Sequence, residues 1–325
     1  MKPLLQVTDL RKFYPVKPPV KAVDGVSFSV FPGETLGLVG ESGSGKSTTG
    51  RLCLRLAGEK TGGQVLFEGI DLYDLRPREL RRLRPRLQMV FQDPYSSLSP
   101  RLTVGQLLSE GVRAHGILPG KLIPDYVNQT LERCGLPAHC TARYPHEFSG
   151  GQRQRIAIAR ALALKPRFVV CDEAVSALDV TAQGKIVALL QQLQAQENLS
   201  YLFISHDLGV VRRLSHRVAV MYRGRIVELA DTDDLYETPA HPYTRALLAA
   251  VLPKMPGKAL LPDFTGGIPT APEMGCPYHT QCKYAMGGLC DKYIPFLTQI
   301  APGHQCACHL HQDHCHPEQS EGSPS

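Results

Sequence analysis

The sequence lacks any apolar run that approaches the eighteen or so residues of a membrane-spanning helix. Its start, MKPLLQVTDLRKFYP, also lacks the apolar core of a secretion signal, because charged residues interrupt it within ten positions. The two absences predict a chain that stays in the cytosol, where cysteines remain reduced. Clustered cysteines in that compartment favour metal binding or chemistry over disulfides.

A strong excess of one charge is missing as well, since the net charge is only +6 over 325 residues. The densest basic stretch, RPRELRRLRPR (76–86), has six arginines but no recognised nucleic-acid-binding motif beside it. We therefore predict a solvated arginine-rich face with an interaction role, and no nucleic-acid partner.

Strand-like and helix-like segments alternate along the first 250 residues. Short apolar runs bounded by turn signals predict buried strands at ETLGLVG (34–40), RFVVCDE (167–173) and YLFISHD (201–207). Apolar residues at helical spacing between 186 and 193 predict an amphipathic helix, and RVAVMYRGRIVELA (217–230) predicts a hairpin that turns at Arg223–Gly224. The pattern indicates an α/β fold with a mostly parallel sheet, covered on both faces, and a β-rich edge.

Composition divides the chain into four parts. Residues 1–252 carry the alternating pattern and form one predicted domain. Residues 253–275 form a predicted linker, because 253–274 hold five prolines and three glycines. Residues 276–312 form a Cys-rich module, and the polar end, 313–325, is predicted to be a disordered tail.

The segment GESGSGKS (40–47) matches the phosphate-loop pattern G-x-x-x-x-G-K-[ST] and directly follows a predicted strand. Its glycines allow backbone N–H groups to close around phosphates, and the following helix points its positive end at them. Lys46 is expected to reach the β- and γ-phosphates, and the Ser47 hydroxyl to ligate Mg²⁺.

The strand RFVVCDE ends in two adjacent carboxylates. Asp172 is placed to hold Mg²⁺ through water, and Glu173 beside it can accept a proton from an attacking water. A surface charge at a strand end is the plainer interpretation of Glu173, but its place next to the metal-holding residue favours a general base. The predicted chemistry is ATP hydrolysis.

Five motifs in order then resemble those of the ATP-binding cassette (ABC) ATPases. FSGGQRQR (148–155) is similar to the signature of that family, and around it stand Gln92 in VFQDP, the stretch 176–179 after Glu173, and His206 in ISHD. The resemblance implies a P-loop (RecA-like) ABC ATPase core with an antiparallel β subdomain and a helical subdomain, plus a small Cys-rich C-terminal extension. Two departures are Ala174, where the family usually has proline, and Phe148 at the start of the signature.

The resemblance also implies a role for each motif residue. Gln92 and His206 join Glu173 in catalysis, His206 holding the γ-phosphate, and Asp179 lies in a loop at the dimer interface. The implied ATP-binding residues are Tyr14, Gly40, Ser42, Gly43, Gly45, Lys46, Ser47 and Thr48, and Mg²⁺ is held through Ser47, Gln92 and Asp172. The signature residues implied to act on ATP bound by a partner are Ser149, Gly150, Gly151 and Gln152. Tyr14, or Phe13 instead, stands where the family stacks an aromatic ring on adenine, although either is compatible with a core role.

Longer stretches, including FQDPYSSLSPR and HPYTRALL, look like the ATP-binding subunits of bacterial oligopeptide/dipeptide importers. The resemblance implies a heterodimer with a second, different cassette subunit, two membrane-spanning permease subunits and an external solute-binding protein. It also implies a peripheral location on the cytoplasmic face of the bacterial inner membrane. Peptides are the expected substrate, with nickel, glutathione or another small solute as alternatives. A cytosolic ABC ATPase acting on nucleic acid or ribosomes is a remote alternative.

Six of the ten cysteines lie in the last fifty residues. The close C-x₂₋₄-C pairs of zinc ribbons are missing among Cys276, Cys282, Cys290 and Cys308, so spacing alone leaves both zinc and a 4Fe–4S cluster open. In the importers, the C-terminal pattern C-P-[FY]-x-x-x-C, a third Cys, then G-H-x-x-A-C implies these four as ligands of a 4Fe–4S cluster. We rank the cluster above zinc and zinc above no metal, with Cys306 as a competitor for the fourth position. Cys315 is assigned to the tail, and the remaining cysteines, Cys53, Cys134, Cys140 and Cys171, are expected to act as small hydrophobic residues.

Overall fold

A computed structural model describes residues 2–17, 19–251 and 274–312. The predicted tail, with Cys315, lies outside the described residues, and so does the predicted linker apart from its last two positions. Within the described ranges, no helix is both long and apolar enough to cross a membrane.

The main sheet has eight strands and is mixed. Its order is β11-β12-β10-β9-β3-β8-β7-β6, and the pairs among β9, β3, β8, β7 and β6 are parallel while the others are antiparallel. The three central strands are buried along their whole length, which explains their continuous apolar sequences. The strands are β3 (Thr35–Val39), β6 (Leu87–Val90), β7 (Phe168–Asp172), β8 (Ser200–Ile204), β9 (Arg217–Tyr222), β10 (Arg225–Asp231), β11 (Thr298–Ala301) and β12 (His304–Cys306).

A second, antiparallel sheet confirms the predicted β subdomain. Its order is β2-β1-β4-β5, with β1 (Leu5–Tyr14), β2 (Val20–Val30), β4 (Gly62–Phe67) and β5 (Ile70–Asp71). Its buried side chains, such as Val7 and Phe67, share one apolar core with Leu36 and Leu38 of the main sheet and Leu52 of the first helix. The two sheets therefore enclose that helix, which begins at the phosphate loop.

Ten α-helices connect or cover these strands within the described residues. The signature helix α6 and the helix α7 both begin at residues whose side chains accept a backbone N–H, an arrangement that satisfies free amides at a helix start. The helices are α1 (Lys46–Cys53), α2 (Pro77–Leu83), α3 (Pro94–Ser97), α4 (Val104–Ala114), α5 (Ile123–Arg133), α6 (Gly150–Leu162), α7 (Val180–Glu197), α8 (Leu208–Leu214), α9 (Thr232–Glu237) and α10 (Pro242–Val251).

Helices α4, α5 and α6 form the helical subdomain. Residues such as Leu107, Leu131 and Ile156 belong to the larger of the two main apolar cores, which continues onto β7 and β8. The arginine-rich stretch forms α2 and the turn after it. Four of its arginines are exposed, as predicted for a solvated face, whereas Arg86 is half-buried and paired with Glu68.

The segment with the clustered cysteines joins the main sheet. Strand β12 pairs with β10, placing Cys306 opposite Glu228, and β11 pairs with β12 at the sheet edge. Cys276 and Cys290 pack into the larger apolar core. Residues 276–312 are thus built onto the cassette by both strand pairing and side-chain packing.

Candidate functional site

The phosphate loop lies between β3 and α1, as its sequence predicts. Two of its glycines are required by close backbone approach. A Cβ on Gly40 would lie 2.1 Å from the carbonyl oxygen of Met221, and one on Gly45 would lie 2.1 Å from that of Ala22. Both glycines also have positive φ values, 147° and 102°, a region that other residues rarely adopt.

Lys46 is buried beneath this loop. Its Nζ donates hydrogen bonds to the carbonyl oxygens of Gly40 and Glu41, each at 2.8 Å. Burial lowers the pKa of Lys46, and the carboxylates of Glu173, Asp172 and Glu41 oppose that shift. The ammonium group is therefore held inside the curve of the loop, where phosphate oxygens can replace the two carbonyls as its partners.

Ser47 and Asp172 are brought together although 125 residues separate them. The Ser47 hydroxyl donates to Asp172 Oδ1 at 2.6 Å. Burial raises the pKa of Asp172, and the hydrogen bond from Ser47 and the charge of Arg51 partly offset that rise. Oxygen ligands of this kind suit Mg²⁺, and a bound cation would offset the cost of burying the carboxylate.

Arg51 is a site residue that sequence reasoning missed. Its guanidinium lies 3.7 Å from Asp172 Oδ2. Because it follows Ser47 by one helical turn on α1, the i, i+4 spacing was the available signal.

The three predicted catalytic residues meet at one carboxylate oxygen. Gln92 Nε2 donates to Glu173 Oε2 at 2.7 Å, and His206 Nδ1 lies 3.6 Å from the same oxygen. Glu173 itself has φ 48°, a conformation uncommon for a residue with a side chain. Its backbone is fixed there, because its N–H donates to Ile204 and its carbonyl accepts both the N–H and the hydroxyl of Ser176.

The signature residues form the start of α6. Ser149 Oγ accepts the Gln152 N–H at 3.4 Å, and the Gln152 side chain accepts the Ser149 N–H at 3.0 Å. Both side chains are exposed, so the positive end of this helix faces outward. Gly150 and Gly151 pack near the segment that leads into α7, where Asp179 caps the helix by accepting the Ala182 N–H at 2.8 Å.

The remaining predicted residues lie around the loop. Ser42 and Gly43 are exposed at its tip and Thr48 is half-buried on α1. Tyr14 is 39% exposed at the end of β1, with Lys12 Nζ 5.2 Å from its ring centre. That exposure favours a ring available for stacking over a core residue. Ala174, which stands where the family usually has proline, is buried.

The four predicted ligand cysteines gather in the C-terminal segment. Cys276, Cys290 and Cys308 are buried and Cys282 is half-buried. Burial is the main reason that the pKa of Cys276 is raised to about 12, and the charges of the other three thiols add to the rise. The Tyr278 N–H lowers this pKa in part. The Cys276 N–H also donates to the Cys290 carbonyl at 2.8 Å.

Burial raises the pKa values of Cys276, Cys282 and Cys308, and the backbone N–H groups of Tyr278, Tyr284 and Leu310, respectively, oppose that rise. The Met286 N–H donates to Cys290 Sγ at 3.4 Å. Burial raises the pKa of Cys306, and the charge of the nearby Glu228 carboxylate raises it further. Over residues 2–17, 19–251 and 274–312, no three His, Cys, Asp or Glu side chains are grouped so as to hold a metal ion.

A buried carboxylate, which the sequence motifs do not include, joins this segment to the cassette. Glu228 on β10 is fully buried, and its carboxylate accepts the N–H groups of Ala240 and His241 at 2.7 and 2.8 Å. His304 Nε2 lies 2.8 Å from the same carboxylate. The chain partners are 76 residues apart, which leaves no local sequence signal for the pair.

Two protein families match the chain. The family described as "ABC transporter" matches residues 23–176, and the family described as "Oligopeptide/dipeptide transporter, C-terminal region" matches residues 227–290. The first range spans the phosphate loop, signature and carboxylate pair. The second ends at Cys290.

Individual relatives extend the match over nearly the whole chain. The oligopeptide transport ATP-binding protein AppF of Bacillus subtilis is 46% identical over 327 residues, covering 95% of this chain and 97% of that protein. The glutathione import ATP-binding protein GsiA of Escherichia coli is 54% identical over 258 residues, which are 77% of this chain and 41% of GsiA.

A solved structure supports the cassette fold. The dimeric structure of MJ0796, described as a bacterial ABC transporter cassette, is similar with a TM-score of 0.63 and 28% identity, over 70% of this chain and 98% of that one. The same cassette has also been solved in a post-hydrolysis state bound to ADP and phosphate. The chain therefore belongs to the ABC transporter family, as an ATPase cassette of the oligopeptide/dipeptide transporter group.

Proposed function

We propose that the chain couples ATP hydrolysis, carried out by residues 1–252, to the import of peptides. The observation that carries this proposal is the meeting of Gln92 and His206 on one oxygen of Glu173, beside the Ser47–Asp172 pair. Such an arrangement positions a base, a water-orienting group and a cation-binding pair within one site.

Each residue has a distinct part in the proposed mechanism. Lys46 exchanges its carbonyl partners for the β- and γ-phosphates of ATP. Glu173 accepts the proton of the attacking water, Gln92 orients that water, and His206 holds the γ-phosphate and the Glu173 side chain. The fixed backbone of Glu173 keeps its carboxylate at the end of β7, where the reacting phosphate arrives.

Magnesium fits the donor set next to the phosphate loop. Ser47, Asp172 and Gln92 supply the hydroxyl, carboxylate and amide oxygens that such a hard cation prefers. When bound, Mg²⁺ would neutralise charge on the β- and γ-phosphates. Burial raises the pKa of Asp172, and the charge of Arg51, 3.7 Å from its carboxylate, opposes that rise.

The signature residues are proposed to act on ATP held by a partner cassette. Ser149 and Gln152 are exposed at the start of a 13-residue helix, whose positive end suits a γ-phosphate. The dimeric form of MJ0796 supports such an assembly. We propose a heterodimer, with a second, different cassette as the partner and Asp179 near the interface.

A groove on the cassette is the proposed contact with the permease subunits. It has a volume of about 410 Å³ and is lined by β6 and by helices α4 and α6, with apolar residues such as Leu56, Met89 and Leu164. Phe91, next to Gln92, is exposed at its edge. The exposed arginines of α2 lie in the chain segment just before β6. We propose that two permease subunits and an external binding protein complete the importer at the cytoplasmic face of the bacterial inner membrane.

The transported molecule is tested by reconstitution. The chain would be co-expressed with its partner cassette and permeases in membrane vesicles, and uptake of labelled peptide, glutathione and nickel compared. We expect ATP-dependent peptide uptake that Glu173→Gln abolishes. Uptake of glutathione alone would reassign the substrate toward that of GsiA, and co-purification of RNA in place of permeases would overturn the importer proposal.

The four cysteines are proposed to hold a 4Fe–4S cluster. Four buried or half-buried thiols, of which Cys290 accepts the Met286 N–H, suit the Cys₄ ligation and sulfur hydrogen bonding of such clusters.

The cluster is tested by purifying the full chain without oxygen and measuring iron, acid-labile sulfide and zinc. We expect about four irons with matching sulfide per chain. Cys308→Ser should lose the iron, whereas Cys306→Ser, a matched change two residues away, should keep it. One zinc per chain, or no metal, would refute the cluster and leave the ATPase assignment intact.

A further inference from the structure

The phosphate loop is tied to a tyrosine from the far end of the cassette. The Glu41 N–H donates to Tyr243 Oη at 3.1 Å, across a sequence separation of 202 residues. Tyr243 lies on α10 and is 1% exposed. The loop is thus contacted by a buried side chain from the last helix of the cassette.

The planar peptide unit that contains the Glu41 N–H also contains the Gly40 carbonyl, which accepts a hydrogen bond from Lys46 Nζ at 2.8 Å. The Glu41 carbonyl accepts Lys46 Nζ at 2.8 Å and the Ser44 N–H at 3.2 Å. A peptide unit is planar, so a hydrogen bond that fixes its N–H also fixes the direction of the preceding carbonyl and restrains the next one. The Tyr243 hydroxyl therefore restrains the part of the loop that positions Lys46.

Tyr243 is held by two other rings, and we call Tyr222, Tyr243 and Tyr278 the tyrosine cluster. The ring centres of Tyr243 and Tyr222 are 4.5 Å apart, and those of Tyr243 and Tyr278 are 5.5 Å apart. Tyr222 and Tyr278 meet edge to face at 5.4 Å and 89°. These distances are those of favourable aromatic pairs.

The tyrosine cluster connects the loop to the cysteine-rich segment. Tyr278 lies between Cys276 and Cys282, and Tyr222 Oη donates to Gln281 Oε1 in the same turn at 3.3 Å. A second connection runs through the start of α10, where Glu228 holds the N–H groups of Ala240 and His241 and also contacts His304 of the C-terminal segment.

We propose that Tyr243 is a positioning residue for the phosphate loop, and that Tyr278 keeps it in place, so the cysteine-rich segment sets the affinity for ATP. The inference rests on the nucleotide site proposed above. It differs from a purely structural role, in which the tyrosine cluster would stabilise the fold without changing nucleotide binding.

The first test removes one oxygen atom from the full chain. Tyr243→Phe keeps the ring packing and should weaken MgATP binding about three- to tenfold, the size expected for one net hydrogen bond. The KM for ATP should rise by the same factor with kcat within about twofold, because the loop holds phosphates in both ground and transition states. Amide exchange of residues 40–45, measured without nucleotide, should also become faster.

Tyr236→Phe is the matched control, because its hydroxyl donates to the Leu208 carbonyl and the residue is not part of the tyrosine cluster. Its MgATP affinity should stay within about twofold of the unsubstituted chain. If Tyr243→Phe also stays within twofold and loop exchange is unchanged, the positioning role is overturned.

The second test concerns Tyr278. Tyr278→Phe should bind MgATP normally, since it keeps the ring, whereas Tyr278→Leu should weaken binding as much as Tyr243→Phe does. Equal affinity of the Leu and Phe variants would overturn the link to the cysteine-rich segment. A failure of the proposed nucleotide site would be recognised by a different result. In that case Lys46→Ala would bind MgATP as well as the unsubstituted chain does.

Discussion

Glu173 combines a constrained backbone with a carboxylate that two neighbours reach. We expect Glu173→Gln to bind MgATP normally and to lose hydrolysis by about 10²- to 10⁴-fold, because the amide cannot accept the proton of the attacking water. Steady-state phosphate release and equilibrium nucleotide binding measure the two effects separately. Glu59→Gln, at a side chain that is 76% exposed, is the control and should leave both unchanged. An unimpaired rate in Glu173→Gln would exclude the base assignment.

Glu228 should control stability in a pH-dependent way. Burial alone would raise the pKa of this carboxyl, but hydrogen bonds from His304 and from the backbone of Ala240 and His241 outweigh it and hold the pKa below its usual range. A lowered folded-state pKa means that the stabilisation is complete above the unfolded pKa of about 4.3 and is lost as the pH falls through the folded value.

The measurement is thermal unfolding of Glu228→Gln and the unsubstituted chain at pH 7 and at pH 4. At pH 7 the free energy of unfolding of the variant should be about 2 kcal/mol lower, because the glutamine NH₂ group cannot accept a hydrogen bond from a backbone N–H. The difference in stability between the variant and the unsubstituted chain should be smaller at pH 4. Glu237→Gln, an exposed change on the next helix, should show no such dependence, and a constant difference for Glu228→Gln would contradict the argument.

At the scale of elements, two helices begin in the same way and differ only in proposed function. Ser149 caps α6 and Thr103 caps α4, each with a glutamine three residues later that completes the capping box. Ser149→Ala and Thr103→Ala should therefore each cost about 1 kcal/mol of stability. Only Ser149→Ala should abolish ATP hydrolysis in the assembled importer, because only that helix is proposed to face a partner's phosphate. Equal activity of the two variants would contradict the signature role.

The elements around the phosphate loop could be predicted from sequence because their signals are local. Strand β3, the loop and α1 are contiguous, and the buried strands β7 and β8 are continuous apolar runs. The hairpin of β9 and β10 also turns at Arg223–Gly224 as predicted, with both residues at positive φ. In each case the turn residues and the apolar period lie within a few positions of one another.

At the scale of the whole molecule, the contacts that sequence reasoning missed join distant parts of the chain. Tyr243 reaches Glu41 across 202 residues, and His304 reaches Glu228 across 76. Sequence predicted the cysteine-rich module only as a stretch of chain, whereas the structure shows where it packs, with strand β12 extending the main sheet. The spacing of residues within a motif does not indicate which surface the motif packs against. Such contacts can therefore be identified only from the folded structure.

The exposed signature helix leads to a prediction about the complete assembly. If each ATP must lie between the phosphate loop of one cassette and the signature of another, hydrolysis by the isolated chain depends on chance encounters. Its ATPase activity per chain should then rise with protein concentration and rise further when a different partner cassette is added at equal amount. Glu173→Gln should trap the ATP-bound pair, which sedimentation would detect as a complex of two cassettes. An activity per chain that stays constant over a hundredfold dilution would mean that one cassette completes the reaction alone, and the signature would then need another role.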